Sequence, residues 1–189
     1  MAGTLQIILR FLFICLICSF FSAQEKWNYS AEEMDQIKVK EQTIRRLKKK
    51  VRFSKTNKVI LTDNAVQDIK EDVLYMSGNT IMINGLDTLT CDSMVYWSKM
   101  DSGYAIGNVR YVQPEKWRQL TTDIFHYWQT KGYRGSSFIT KGYTQVIEPD
   151  QLITANEISY DDDKQMMKLT DNASVKKPTR GIFGDEMNI

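Results

Sequence analysis

Residues 89–108, LTCDSMVYWSKMDSGYAIGN, have worn copies before and after them, and no other feature restricts the fold of this chain so strongly. With Asp92 as the reference, Asp63, Asp123 and Asn156 take the equivalent places, about 30 residues apart. Two positions after each comes an apolar side chain, namely Ala65, Met94, Phe125 or Ile158. Four positions after it comes Tyr96, Tyr127 or Tyr160, with Gln67 the exception. The pairs Gly78-Asn79, Gly107-Asn108 and Asp171-Asn172 close three of the four units. Self-similarity at such a period implies stacked supersecondary units, none able to bury its apolar face alone, and hence a quasi-linear fold.

The units read as short β segments. Val51 and Phe53, Ile81 and Ile83, Val109 and Tyr111, and Val146 open them in alternation. Their partners are Leu61-Thr62, Leu89-Thr90, Leu120-Thr121 and Ile153-Thr154, which implies one residue missing between Thr62 and Asp63. Leu89 and Cys91 share one parity, whereas Met94 and Tyr96 share the other, and a strict strand would send the two pairs to opposite faces. For all four to point inward, the chain must bulge or turn a corner near Asp92-Ser93, where a short polar side chain tolerates unusual backbone angles. Asp63, Asp92, Asp123 and Asn156 are therefore expected as corner residues rather than catalysts. Gly78, Gly107 and the Asn after each are expected to supply positive φ at tight connections. The expected inward stripe is Ile81, Ile83, Leu89, Met94, Tyr96, Val109, Tyr111, Leu120, Phe125, Tyr127, Ile153, Ile158 and Tyr160.

The two ends differ from this pattern. Arg10, the apolar run 11–21 and the small Ser22-Ala23 read as a secretory signal peptide over residues 1–23, with one domain over 24–189 and a periplasmic destination. The apolar run is short for a membrane anchor, which needs ~20 residues. Beyond it Cys91 is the only cysteine, so an internal disulfide is not expected. Residues 31–50 are rich in helix formers, yet Ser30-Ala31-Glu32-Glu33-Met34 sits where a repeat core belongs, and a worn first repeat of two strands is expected there. The basic run 48–50 is expected as a solvated turn, and the Gly-rich residues 131–142 as a longer loop. A last copy starts at Ala173, places Ile182-Phe183-Gly184-Asp185 in register with residues 89–92, and reaches Ile189 with an open strand edge.

Catalytic and cofactor chemistry find no constellation. His126, the only histidine, lies between Phe125 and Tyr127 and should face away from them. Asp161, Asp162 and Asp163 lack the glycine and the distal glutamate of a calcium loop and read as a charged hairpin turn. Cys91 reads as a small core residue. The chain has 25 basic and 23 acidic residues, and loss of Arg10 with the leader brings it nearer balance, so nucleic acid is not an expected partner. The inward stripe is either an ordinary packed core or a trough for long alkyl chains. Two other classes stay open: an envelope scaffold that binds no lipid, and a parallel β-helix acting on polysaccharide.

The phrase Leu89-Thr90-Cys91-Asp92, Tyr96, Gly107-Asn108-Val109 behind an export signal resembles the LptA/OstA family of lipopolysaccharide transport proteins, from about Trp27 onward. The resemblance implies a twisted, open-ended antiparallel β-jellyroll whose apolar interior holds lipopolysaccharide acyl chains, with no enzymatic activity and no cofactor or metal. It further implies that such proteins help bridge the inner and outer membranes for outer-membrane assembly. Other transport components would pair with the terminal strand edges, and head-to-tail self-association would use the same edges. The stripe would then be the lipid-binding groove. An LptA-like protein, an LptC-like component and the N-terminal part of a longer OstA-like chain all fit the resemblance.

Overall fold

The computed structural model describes residues 27–129 and 136–189. The proposed export signal lies outside them. The fold is a single antiparallel sheet of β1 (Asn28–Ser30), β2 (Glu33–Val39), β3 (Gln42–Lys55), β4 (Lys58–Asp68), β5 (Val73–Asn84), β6 (Asp87–Trp97), β7 (Ser102–Gln113), β8 (Arg118–Gln129), β9 (Ser136–Lys141), β10 (Thr144–Glu148), β11 (Gln151–Ala155), β12 (Glu157–Asp161), β13 (Met166–Lys177) and β14 (Arg180–Asn188). From β3 to β8 each strand pairs with the next. The first half of β8 then pairs with β10 and its second half with β9, while β13 receives both β11 and β12. Thus β9 with β10, and β11 with β12, each stand where one long strand stood before. The parallel-coil alternative is excluded, because every pairing is antiparallel.

Each long strand turns a corner near its middle, and the sheet folds over on itself there. The register slips between Ser77 and Thr80, between Thr90 and Ser93, and between Ile106 and Val109. At the slip, one strand holds two successive residues in the left-handed region: Gly78 and Asn79 (φ 81° and 44°), Gly107 and Asn108 (77° and 46°), Asp171 and Asn172 (62° and 53°). The neighbouring strand holds the acid at the first two, Asp63 and Asp92, and Asn156 at the third. A second residue's worth of chain on one strand bends the ladder and changes the phase of the side chains. That is why Leu89, Cys91, Met94 and Tyr96 are all buried on one strand while Asp92 between them is exposed.

These Gly-Asn and Asp-Asn pairs therefore lie within strands and do not close hairpins, a correction to the expectation of tight connections. The basic run is likewise no turn. Lys49 and Lys50 (φ 61° and 51°) occupy the bulge of β3, where Lys49 pairs with Glu33 and Lys50 with Glu32 at 2.6 Å. The worn first repeat is β1 and β2, flanking Ala31 and Glu32, and the helical tendency of residues 31–50 gives way to pairing with β3. Residues 136–141 of the expected loop form β9.

Folding over at the corner gives two layers, and side chains from both meet inside. Tyr111 of one layer stacks on Phe125 of the other with ring centroids 5.2 Å apart, and Tyr127 Oη donates to Met82 Sδ at 3.0 Å across the same interior. Within a layer, large and small residues alternate. Met94 and Phe125 flank Ala105, and Tyr96 and Tyr127 flank Gly103, whose added Cβ would collide with the Tyr127 ring and the Met94 methyl. The small residues of β7 thus make the space that the large residues of β6 and β8 fill.

Candidate functional site

The interior between the layers is the candidate site, and the corner divides it into rows of different character. Beside the corner the side chains are small: Val51, Thr62, Thr80, Cys91, Thr122 and Thr144 are all buried. Their hydroxyls satisfy one another, with Thr62 to Thr80 at 3.0 Å, Thr122 to Thr144 at 2.9 Å, and Thr144 to Thr140 at 2.8 Å across the bend. Buried hydroxyls without such partners would be costly. Burial, with Asp92 alongside, pushes the Cys91 thiol up to about 12. Outside the bend Asn79 donates to Asp63 at 2.8 Å and Asn108 to Asp92 at 2.9 Å, while the roles reverse at the last corner, where Asn156 donates to Asp171 at 2.8 Å.

Away from the corner the rows widen to Phe53, Met82, Leu89 and Tyr111 on one layer and Tyr96, Tyr127, Phe138 and Tyr160 on the other. A wedge narrow at the bend and broad at the mouth follows from this gradation of size. It is filled: Phe125 and Phe138 stack at 5.1 Å, Phe138 and Tyr160 at 5.2 Å, and the central void beside Met82, Leu89, Tyr111, Phe125 and Tyr127 measures about 10 Å³. Trp27 closes one flank, edge-on to Tyr96 at 5.7 Å and donating from Nε1 to Ser98 Oγ at 3.0 Å.

Two polar latches cross the mouth. Lys58 of one layer bonds to Asp101 and, at 3.3 Å, to the Tyr96 hydroxyl of the other, and Tyr96 also donates to Asp101 at 2.8 Å. Burial pulls the Lys58 pKa below the ordinary lysine value, against the opposing pull of Asp101. Burial, followed by the charge and the bond of Asp101, pushes the Tyr96 phenol up. Lys116, in the short 3-10 turn Pro114–Lys116, bonds to Asp162 at 2.9 Å and Tyr160 at 3.0 Å. Burial opposes the Lys116 charge, but these bonds outweigh it and raise its pKa. For Asp162 too, burial is opposed and outweighed by Lys116, so its carboxyl sits below the ordinary value.

Of the stripe expected from the sequence, Leu89, Met94, Tyr96, Val109, Tyr111, Leu120, Phe125, Tyr127, Ile153, Ile158 and Tyr160 are all buried in this interior. Ile81 and Ile83 are not. They are half-buried on the opposite face, and Thr80 and Met82 point inward instead. The reason is the bulge, which sets the phase: Phe53, Met82, Tyr111 and Val175 each lie three residues beyond the second left-handed residue. Counting from Asn79 would have found Met82. The same correction removes the missing residue near Thr62, because Ile60, and not Leu61, is the counterpart of Leu89, Leu120 and Ile153, each paired across the ladder with Phe53, Met82, Tyr111 and Val146 respectively. Phe138 was hidden among Gly and Ser. The latch residues carry no local signal, since Lys58 and Asp101, like Lys116 and Asp162, meet only through the fold.

Outside the interior, His126 lies on the outer face with Tyr104 and Trp128 at 5.9 and 5.4 Å. Asp161 ends β12 and Asp162 and Asp163 begin the expected turn after it, with Asp162 directed to the latch. Among the described residues β14 has β13 as its only neighbour, and its Ile182 and Phe183 are exposed.

A family model described as LptA/(LptD N-terminal domain) LPS transport protein matches residues 59–189. No curated protein matches the chain.

Proposed function

The chain belongs to the LptA/LptD N-terminal family of lipopolysaccharide transport proteins, and from that membership we propose that its two-layered interior carries the acyl chains of lipopolysaccharide. The family is one of transport and binding, not of enzymes. The observation that carries the proposal is one continuous apolar interior, sealed along the bend and fastened at the mouth only by side chains. A chain entering it would part the two layers at the mouth while the bend stays closed. Burying a dozen methylenes supplies on the order of 10 kcal/mol, enough to offset the aromatic contacts and latches that must separate. In this reading the protein works in the periplasm, helps bridge the two membranes, and pairs through the free edge of β14 with other transport components or a second copy.

A photo-crosslinking residue at Met94 or Phe125 is expected to capture lipopolysaccharide in the purified protein. Adducts from outward positions such as Tyr75, with none from Met94 or Phe125, would sink the proposal. The filled interior favours a second reading, an envelope scaffold that holds no lipid. A charge placed at Phe125 separates the two: loss of lipid binding with the fold intact supports the carrier, and an effect confined to folding supports the scaffold.

A further inference from the structure

The outer face of the layer that carries His126 is apolar where a solvated face would be polar. Its middle row runs straight across the strands: Val66, Tyr75, Val95, Tyr104, His126 and Ile139 are successive cross-strand partners from β4 to β9. All point away from the wedge, Tyr75 at 50% and Val66 at 37% exposure and the rest half-buried. No carboxylate, lysine or arginine stands in this row before Arg46 of β3 at one end and, past Ser159, Lys168 of β13 at the other. On its bend side Ile106, also exposed, pairs with Ile124. An antiparallel sheet with one wet face alternates apolar and polar residues, so a contiguous apolar row of this length marks a surface that something covers.

The charges at the two ends of the face select the cover. Asp35 of β2 and Lys48 of β3 point outward near one end, and Glu157 of β12 and Lys168 of β13 near the other. Lys48 and Glu157 are in no ion pair among the described residues, and Glu33, opposite Lys48, is taken by Lys49. Across this layer the strands follow one another as β2, β3, β4, β5, β6, β7, β8, β9, β12 and β13, so the centre falls between β6 and β7. A second copy turned about a twofold axis along the strands at that centre lays β2 over β13, β3 over β12, β4 over β9 and β5 over β8. Asp35 then meets Lys168, Lys48 meets Glu157, Tyr75 meets His126 and Val95 meets Tyr104, each pair occurring twice. An axis across the strands would instead set Arg46 on Arg46 and Asp35 on Asp35. At about 4.8 Å per strand from β2 to β13 and some five residues along each, the face is roughly 43 Å by 17 Å. That is on the order of 700 Å² per copy, close to the ~800 Å² per partner of a standard interface.

We propose that this outer face is the interface of a face-to-face homodimer with its twofold axis along β6 and β7. The two sheets pack aligned, with the aromatic row at the centre and the charge pairs at the rim. The wedge and the edge of β14 stay free, so the dimer does not depend on the carrier reading.

Sedimentation equilibrium of the full chain from about 1 to about 100 μM tests it. The wild type is expected to dimerise in this range, and Tyr75→Asp and His126→Asp each to weaken the dimer about tenfold or more. Lys48→Glu is expected to weaken it about three- to tenfold, because symmetry removes two pairs at once. Adding Glu157→Lys to that variant should return the affinity to near the wild-type value. Thermal melts report whether each variant is folded, and should His126→Asp not fold, the half-exposed Tyr75 decides alone. A monomer at every concentration overturns the dimer. So does a dimer that the folded face variants leave unchanged, which would mark another surface. Failure of Glu157→Lys to restore association in a folded double variant overturns the twofold. A monomer that floats with phosphatidylethanolamine–phosphatidylglycerol vesicles, and loses this with Tyr75→Asp, overturns the proposal and gives the face to a membrane.

Discussion

The bend and the mouth of this sheet solve the same problem, holding two layers together, by opposite means. At the bend the backbone does the work: paired left-handed residues, an acid on the next strand, and small hydroxyl and methyl side chains that meet without gaps. At the mouth only long side chains meet, through Lys58 with Asp101 and Lys116 with Asp162. Backbone corners are hard to undo one at a time, whereas a side-chain latch can be lost without disturbing the ladder. The contrast identifies which side of the wedge is a hinge and which a closure.

Breaking the bend should cost most. Gly78→Val puts a branched side chain at φ 81°, with its Cβ 2.6 Å from Asp63 Oδ2 and 2.9 Å from Asp63 Cβ, and is expected to destabilise by about 3 kcal/mol in denaturant titration. At the mouth the two halves of a latch should differ. Asp101→Ala leaves the buried Lys58 ammonium with the Tyr96 hydroxyl alone and is expected to cost about 2 kcal/mol, whereas Lys58→Met should be close to neutral, because an apolar chain suits the site and Asp101 is half-exposed. Equal losses for both would show that the latch itself, and not burial of Lys58, dominates. Asp92→Ala removes an exposed bond to Asn108 at one corner of several and is expected to cost about 0.5–1 kcal/mol by thermal melt.

The smallest effect is one of pH. Asp162 has a folded pKa below its ordinary 3.8, so its contribution is complete above that value and is lost as pH falls through the lowered one. Lys116 has a folded pKa above 10.5, so its contribution is complete below 10.5 and is lost as pH rises through the raised value. Stability should be flat between these limits with respect to this latch, and Asp162→Asn should remove the acid limb and, because Asp162 is the main group holding the Lys116 pKa up, weaken the alkaline limb as well. The bend offers a complementary probe. In a Cys15→Ser, Cys18→Ser background, Cys91, buried and with its thiol pushed up to about 12, is expected to resist thiol reagents at neutral pH even when lipid is bound. Rapid labelling on lipid binding would show that the hinge, and not only the mouth, opens.

The bend was more legible in the sequence than the mouth. The change of parity between Cys91 and Met94 required a corner, and the recurrent acid marked its place, because a bulge leaves a local trace in spacing and residue type. Ile81 and Ile83 depart from the expected inward stripe because both isoleucines suit either face of a strand, and the bulge at Gly78-Asn79 decides which face they take. Lys49 and Lys50 form a bulge and not the expected turn for a related reason: lysine rarely holds a left-handed pair, and here Glu33 and Glu32 hold it. Nothing local could have joined Lys58 to Asp101 or Lys116 to Asp162. Those features belong to the way distant strand ends converge after the sheet has folded over.

The bulges fall near the middle of each long strand from β3 to β8, and this has a consequence for how such a protein can change in length. A duplicated hairpin would arrive with its own corner already in phase, adding two strand spacings, or about 10 Å, to the interior without altering any existing contact except at the junction. Reach across a gap thus becomes a matter of counting hairpins, and a lineage can lengthen the path by copying what it already has.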